Sequence, residues 1–146
     1  MSPSTSTQSQ NEPGQVYFYI RNFMSLVYPL YPIMCEQAIA DMETAVIRDG
    51  LQINVPSALI LLMKTLGKLY SGTYDLLEHN DAIAHLDSAV RLLSWLPLEY
   101  TLEHAQAYTL AALCFAKLSM LSSSAMHLRQ ASAVLYEFLT RFGAFH

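Results

Sequence analysis

The sequence is poor in cysteine, in charge and in long apolar runs, and each shortage excludes a class of protein. Only two cysteines occur, Cys35 and Cys114, each inside an apolar helical pattern. That pattern predicts two small buried free thiols, as in proteins of a reducing compartment. The longest nearly uncharged apolar run, from Val55 to Met63, is too short for a membrane span, which needs about 20 residues. We therefore expect a chain that does not cross a membrane.

Charged residues make up 14% of the chain, against about 25% in an average soluble domain, and the net charge is −4. The eight Lys and Arg residues are scattered singly, without the clustered positive footprint of nucleic-acid-binding proteins. We expect no direct binding of nucleic acid by this chain. Apolar residues reach 53% of 146 residues, a surplus for one ordinary domain. The surplus predicts spare apolar faces that pack on a missing segment or on a partner.

Motifs that carry chemistry are missing as well. The sequence has no Glu-x-x-His, His-x-x-x-His or Cys-x-x-Cys, no Gly-x-Ser-x-Gly and no Gly-rich phosphate loop. We therefore predict no metal site, no cofactor and no catalytic residues. Asp81 and His85 lie four apart on one helix face, where they could pair. Gln106 is either an exposed or singly bonded side chain, or an internal lock of a helical hairpin.

Helical periodicity dominates what is present. Residues 1–14 are rich in Ser, Thr, Gln, Asn and Pro and predict a disordered tail, and residues 15–146 predict one helical domain. Pro29 and Pro32 bracket a bend, Gly50 stops a helix, and Pro56 opens the next one. Gly67, inside that apolar helix, indicates a close helix approach. The expected helices cover about 16–28, 33–48, 56–70, 81–93, 101–121 and 124–141, with a loop at 73–80.

The last two helices predict an antiparallel hairpin at the end of the chain. Thr101 is the expected N-cap of the first, and Ser122 to Ser124 the expected turn and cap of the second. Apolar residues three and four apart predict the seam of the second helix, with Leu135 at its centre. Those residues are Leu128, Ala131, Leu135, Phe138 and Phe142. The fold class is therefore all-α, an irregular bundle or array of about six helices.

Several segments, taken in order, resemble the fungal-specific transcription factor domain, the middle homology region of zinc-cluster transcription factors. An aromatic helix leads into VYPLYPI at 27–33, similar to the family's Pro-Leu-Tyr-Pro turn. LGKLY at 66–70 and TLEHAQAYTL at 101–110 look like two later family helices. Asp87, Ala89, Leu92 and Leu93, and Ser124 to Leu135, fall where the family has two further helical motifs. The likeness spans roughly residues 16–142.

The departures from the family pattern are as informative as the matches. Two cysteines cannot build the family's six-cysteine binuclear zinc cluster, so the DNA-binding module is lacking. The Leu-Gly-Leu-His ending expected after 131–142 is also missing. The resemblance thus implies the N-terminal part of a regulatory-type domain, incomplete by itself. Its expected partner is the missing C-terminal part of the same domain or another protein, with a homodimer as a further alternative.

The resemblance implies a nuclear protein that regulates transcription. The first hypothesis is a regulatory or interaction domain of a fungal transcription factor, not an enzyme, that lacks its own zinc cluster. The alternative is an unrelated α-helical repeat-type scaffold that binds a partner peptide in a groove. An enzyme ranks third, because no catalytic constellation is present.

Overall fold

The computed structural model describes residues 13–71 and 76–142, and within them the fold is all-α. The helices are α1 (Pro13–Asn22), α2 (Glu36–Asp49), α3 (Val55–Leu69), α4 (Leu76–Trp95), α5 (Leu102–Lys117) and α6 (Leu121–Phe142), and a π-helical turn, Phe23–Val27, continues α1. No β-strand occurs in these ranges. The predicted fold class and the predicted number of helices are confirmed.

The central element is α3, whose residues are buried without interruption from Ser57 to Leu69. It contacts α1 with its π-helical turn, α2, α4 and α5. A helix that is apolar on every side is stable only when neighbours cover all of its faces. The arrangement of the described elements around α3 therefore follows from its sequence, as expected.

Gly67 of α3 permits the closest of these contacts. A methyl group at this position would overlap the carbonyl oxygen of Tyr19 and lie 3.0 Å from the backbone nitrogen of Phe23. The backbones of α3 and α1 therefore meet where only glycine fits, and the predicted close approach is confirmed. At the same place α1 widens into its π-helical turn, closed by the Tyr28 N–H donating to the Phe23 carbonyl at 2.9 Å.

Several helix ends follow the expected local chemistry. The Thr101 hydroxyl accepts from the backbone N–H of His104 at 3.2 Å, which confirms the predicted cap of α5. Pro56 lies in the first turn of α3, which Asn54 caps by accepting from the Ser57 N–H at 2.9 Å. Gly50 ends α2 with a φ of 77°, a conformation that side chains disfavour.

The predicted loop at 73–80 is wrong in its second half, and residues 72–75 lie outside the described residues. Helix α4 begins at Leu76, ahead of the predicted start at 81, so Asn80 and Asp81 are interior residues. Asp81 forms an ion pair with Lys68 of α3 at 3.6 Å, a tertiary contact that local spacing does not show. The predicted tail also lies outside the described residues up to residue 12, and residues 13 and 14 already belong to α1.

The turn between α5 and α6 falls earlier than Ser122 to Ser124, and that prediction is wrong. Ser119 has a φ of 61°, its N–H donates to Ala116 at 3.0 Å, and the Met120 N–H donates to Phe115 at 2.8 Å. This is the Schellman pattern that commonly carries glycine at the position of Ser119. The Ser124 hydroxyl instead donates to the Ala112 carbonyl of α5 at 2.8 Å and joins the two helices.

The antiparallel hairpin itself is present, but of its predicted seam only Ala131 is buried. On α6 the buried residues are His127, Ala131 and Val134, and Val134 is fully buried. Leu135, the predicted centre, is 38% exposed. Neighbouring residues of a helix lie about 100° apart around its axis, so Val134 and Leu135 belong to different faces. The prediction treated these two apolar faces of α6 as one.

The two cysteines differ in environment. Cys114 is fully buried in α5, as expected, and burial raises the pKa of its thiol. Cys35 is exposed at the N-terminal end of α2, so the prediction that it is buried is wrong. Its apolar neighbours in sequence belong partly to the Pro29–Pro32 bend, which lies at the surface.

Candidate interaction surface

Several polar side chains are buried inside the helical core, where they could form a catalytic or binding site. Lys64 and Lys68 on α3 are only 3% and 5% exposed. The Lys68 ammonium lies 3.6 Å from the Asp81 carboxylate and 5.1 Å from the centre of the Tyr19 ring. A buried ammonium needs such partners, since an unpaired buried charge is costly. The pKa of Lys64 is lowered by its burial and then by the neighbouring charge of Lys68.

His85 lies close enough to Lys64, Lys68 and Asp81 for their charges to affect it, but it does not pair with Asp81, as the spacing of four residues had suggested. Asp81 directs its carboxylate to Lys68, and the buried Nδ1 atom of His85 has no hydrogen-bond partner. Burial is the largest cause that lowers the pKa of His85, and the charges of Lys64 and Lys68 add to it against the opposing effect of Asp81, so that the pKa is about 4. His85 is therefore neutral near pH 7. The cluster joins α1, α3 and α4 electrostatically.

A second polar site lies where the N-terminal ends of α3 and α5 converge. The pocket there has a volume of about 390 Å³, and its lining includes Asn54, Thr101 and His104. Two helix N-termini favour an anion. However, Glu99 and Glu103 line the same pocket, and their charges oppose an anionic ligand. Burial lowers the pKa of His104, so the imidazole contributes no cation near pH 7 to offset them.

Gln106, which the sequence singled out, connects distant parts of the chain. Its Nε2 atom donates to the Ile33 carbonyl at 2.8 Å, across 73 positions of sequence. It therefore ties α5 to the segment after the Pro29–Pro32 bend and does not lock α5 to α6, as one hypothesis had it. The Tyr28 hydroxyl holds the same segment by donating to the Met34 carbonyl at 2.7 Å.

The five histidines do not assemble a metal site where they are described. Within residues 13–71 and 76–142, no three His, Cys, Asp or Glu side chains converge on one point. His127 stacks on Phe115, with ring centres 4.8 Å apart, and its Nδ1 atom lies 2.7 Å from the Ser123 carbonyl oxygen. This histidine packs α6 on α5, which is a structural role.

The outer side of α6 is an ordered apolar face that is exposed to solvent. Among the described elements α6 contacts α5 alone, so one flank of the helix has no neighbour. Residues on that flank follow each other at spacings of four and three, and we call them the exposed stripe. They are Leu121, Ala125, Leu128, Ser132, Leu135, Leu139 and Phe142.

The exposed stripe is not ordinary surface. Leu121 and Phe142 at its ends are 71% and 70% exposed, and no charged residue lies within it. Single exposed apolar residues are normal in soluble proteins, but contiguous apolar patches mark interaction sites. The sequence predicted Leu128, Leu135 and Phe142 as one apolar face of α6. That face was assigned to the contact with α5, whereas all three residues are exposed.

Comparison with known proteins gives no identification. No protein-family model, no curated protein and no solved structure matches the chain. None of the described helices combines the length and hydropathy of a membrane-spanning helix.

Proposed function

We propose that this chain is a non-enzymatic regulatory or interaction domain of the fungal zinc-cluster transcription factor type, without a DNA-binding cluster of its own. It works in the nucleus through contacts with protein. The observation that carries the proposal is the bond between Gln106 and Ile33. It joins two of the segments on which the resemblance depends, 27–33 and 101–110, although they are far apart in sequence.

A second contact supports the same proposal. LGKLY at 66–70 also carries the resemblance, and its Gly67 packs against the backbone of Tyr19 and Phe23 in the aromatic first helix and its π-helical turn. Segments that a family shares in sequence should contact one another if they specify one fold. Through these two contacts, the aromatic first helix packs on the segment 66–70, and the segment 27–33 is bonded to the segment 101–110.

The exposed stripe supports a role in binding and not in catalysis. An apolar helix face, unlike the polar cluster of Lys68 and Asp81, offers contact area and no reactive group. The stripe equally suits the alternative, an unrelated helical scaffold that binds a protein partner. A six-cysteine zinc-cluster pattern encoded in the same gene would favour the transcription factor over the scaffold.

A transcription reporter tests the proposal. The chain is inserted between a heterologous DNA-binding domain and an activation segment, in a fungal host. A regulatory domain changes reporter output severalfold relative to the same fusion without it. Gly67→Val, which disrupts the contact between α1 and α3, should abolish the effect. Unchanged output with the folded wild-type chain would overturn the proposal.

A further inference from the structure

A hole that fits a side chain of a partner helix lies along one edge of the exposed stripe. Four residues at positions i, i+3, i+4 and i+7, namely Ala125, Leu128, Arg129 and Ser132, line a shallow depression of about 370 Å³. In packed helical pairs, a side chain from one helix inserts into a hole formed by four such residues of the other. The small side chains at positions 125 and 132 are what leaves this hole open.

The stripe is also complementary to the stripe of a second copy when the two α6 helices are antiparallel. Reversal about Ser132 places Ala125 opposite Leu139. The same reversal places Leu128 within one position of Leu135, and Leu121 within one position of Phe142. We propose that α6 packs antiparallel on α6 of a second copy of this chain, with the two Ser132 residues at the two-fold axis and Leu135 of each copy in the hole of the other.

The positions of the charged residues of α6 and the exposed area of the stripe are compatible with a second copy as the partner. The charged residues of α6 are Arg129, Glu137 and Arg141, all outside the stripe. Reversal brings Arg129 next to Tyr136 of the second copy, which is 68% exposed and is therefore accessible for a cation–π contact. The stripe and Tyr136 expose on the order of 700 Å² per chain, which is the most that they could bury, against roughly 800 Å² buried per partner in a specific interface.

The dimer follows from the geometry of α6 alone and does not depend on the proposed transcriptional role. The first test is the mass of the full chain in sedimentation equilibrium, over a wide range of protein concentration. We expect twice the chain mass of 16.4 kDa, and 16.4 kDa for the double variant Leu128→Glu, Leu135→Glu with unchanged helical circular dichroism. Met126→Glu, 59% exposed on another face of α6, is the matched control and stays dimeric.

The second test fixes the register by cross-linking. In a Cys35→Ser background, which removes the exposed native thiol, Ser132→Cys should form a disulfide-linked dimer on mild oxidation. Thr140→Cys, exposed on the same helix but off the stripe, should not. A monomeric wild-type chain overturns the proposal, as does a dimer that survives the double glutamate variant. Equal cross-linking at positions 132 and 140 also overturns it.

Discussion

At the residue scale, the fold depends on single positions whose role comes from a distant neighbour. Gly67, Gln106 and Lys68 each contact a segment that is remote in sequence or separated by a turn. The sequence indicated that Gly67 has a packing reason, since an interior glycine weakens a helix. It did not indicate that Asp81 pairs with Lys68 and not with His85, because the contact between α3 and α4 is not visible in local spacing.

Gly67→Ala separates packing from helix propensity. Propensity alone predicts a gain of about 1 kcal/mol, because alanine favours helix over glycine. The overlap of the new methyl group with the Tyr19 carbonyl predicts instead a loss of about 1–3 kcal/mol, typical of overpacking. Thermal unfolding followed by circular dichroism decides, with the exposed Ser88→Ala in α4 as the control. A higher melting temperature for Gly67→Ala would show that α1 does not approach α3 this closely.

His85 predicts a pH dependence of stability with a definite sign. Its pKa is about 4 in the folded chain and 6.5 in the unfolded chain, so between these values only the unfolded chain binds the proton. Stability therefore falls as the pH drops through this window. We expect the melting temperature of wild type to fall between pH 7 and pH 4.5 by roughly 5 °C more than that of His85→Gln. Parallel curves for the two proteins would contradict the burial of a neutral imidazole.

At the element scale, α6 carries two apolar faces and α5 covers one of them. Periodicity predicted that α6 packs antiparallel on α5, and it does, but both faces obey the same spacing of three and four. Local sequence could not tell the covered face from the exposed one, because the choice depends on what α5 offers. The Ser124 bond to Ala112 and the stacking of His127 on Phe115 make that choice.

Two neighbouring substitutions test the assignment of the faces. Val134→Ala removes two methyl groups from a fully buried site and should cost about 2 kcal/mol. Leu135→Ala truncates a side chain of the exposed stripe and should cost about 0.5 kcal/mol or less when measured at low protein concentration. Chemical denaturation of both variants gives the comparison. If Leu135→Ala proved the more destabilising one in that regime, the seam predicted from sequence would be the real one.

At the scale of the whole molecule, charge and apolar surface support the proposal that the chain acts through contacts with protein. Two of the eight basic residues, Lys64 and Lys68, are buried, and Arg48 and Arg91 pair with Asp49 and Asp87. The remaining positive charge does not form a stripe that could follow a phosphate backbone. The sequence predicted the apolar surplus, but only the structure shows that α6 displays it as an ordered face.

The charge distribution leads to an expectation about DNA. At physiological salt, the isolated chain should show no sequence-selective binding of duplex DNA, because a net charge of −4 opposes phosphate. Fluorescence anisotropy with a library of labelled duplexes measures this. Selective binding of one duplex by the isolated chain would contradict the proposal that its DNA-binding module is lacking.

The most direct test of the account is whether the exposed stripe carries the regulatory effect. In the reporter fusion described above, output is compared for wild type, for the double variant Leu128→Glu, Leu135→Glu, and for Met126→Glu. The account predicts that the double variant loses the effect of the domain while Met126→Glu keeps it, at equal protein levels. A double variant that regulates the reporter as well as wild type would contradict the claim that the chain acts through this face.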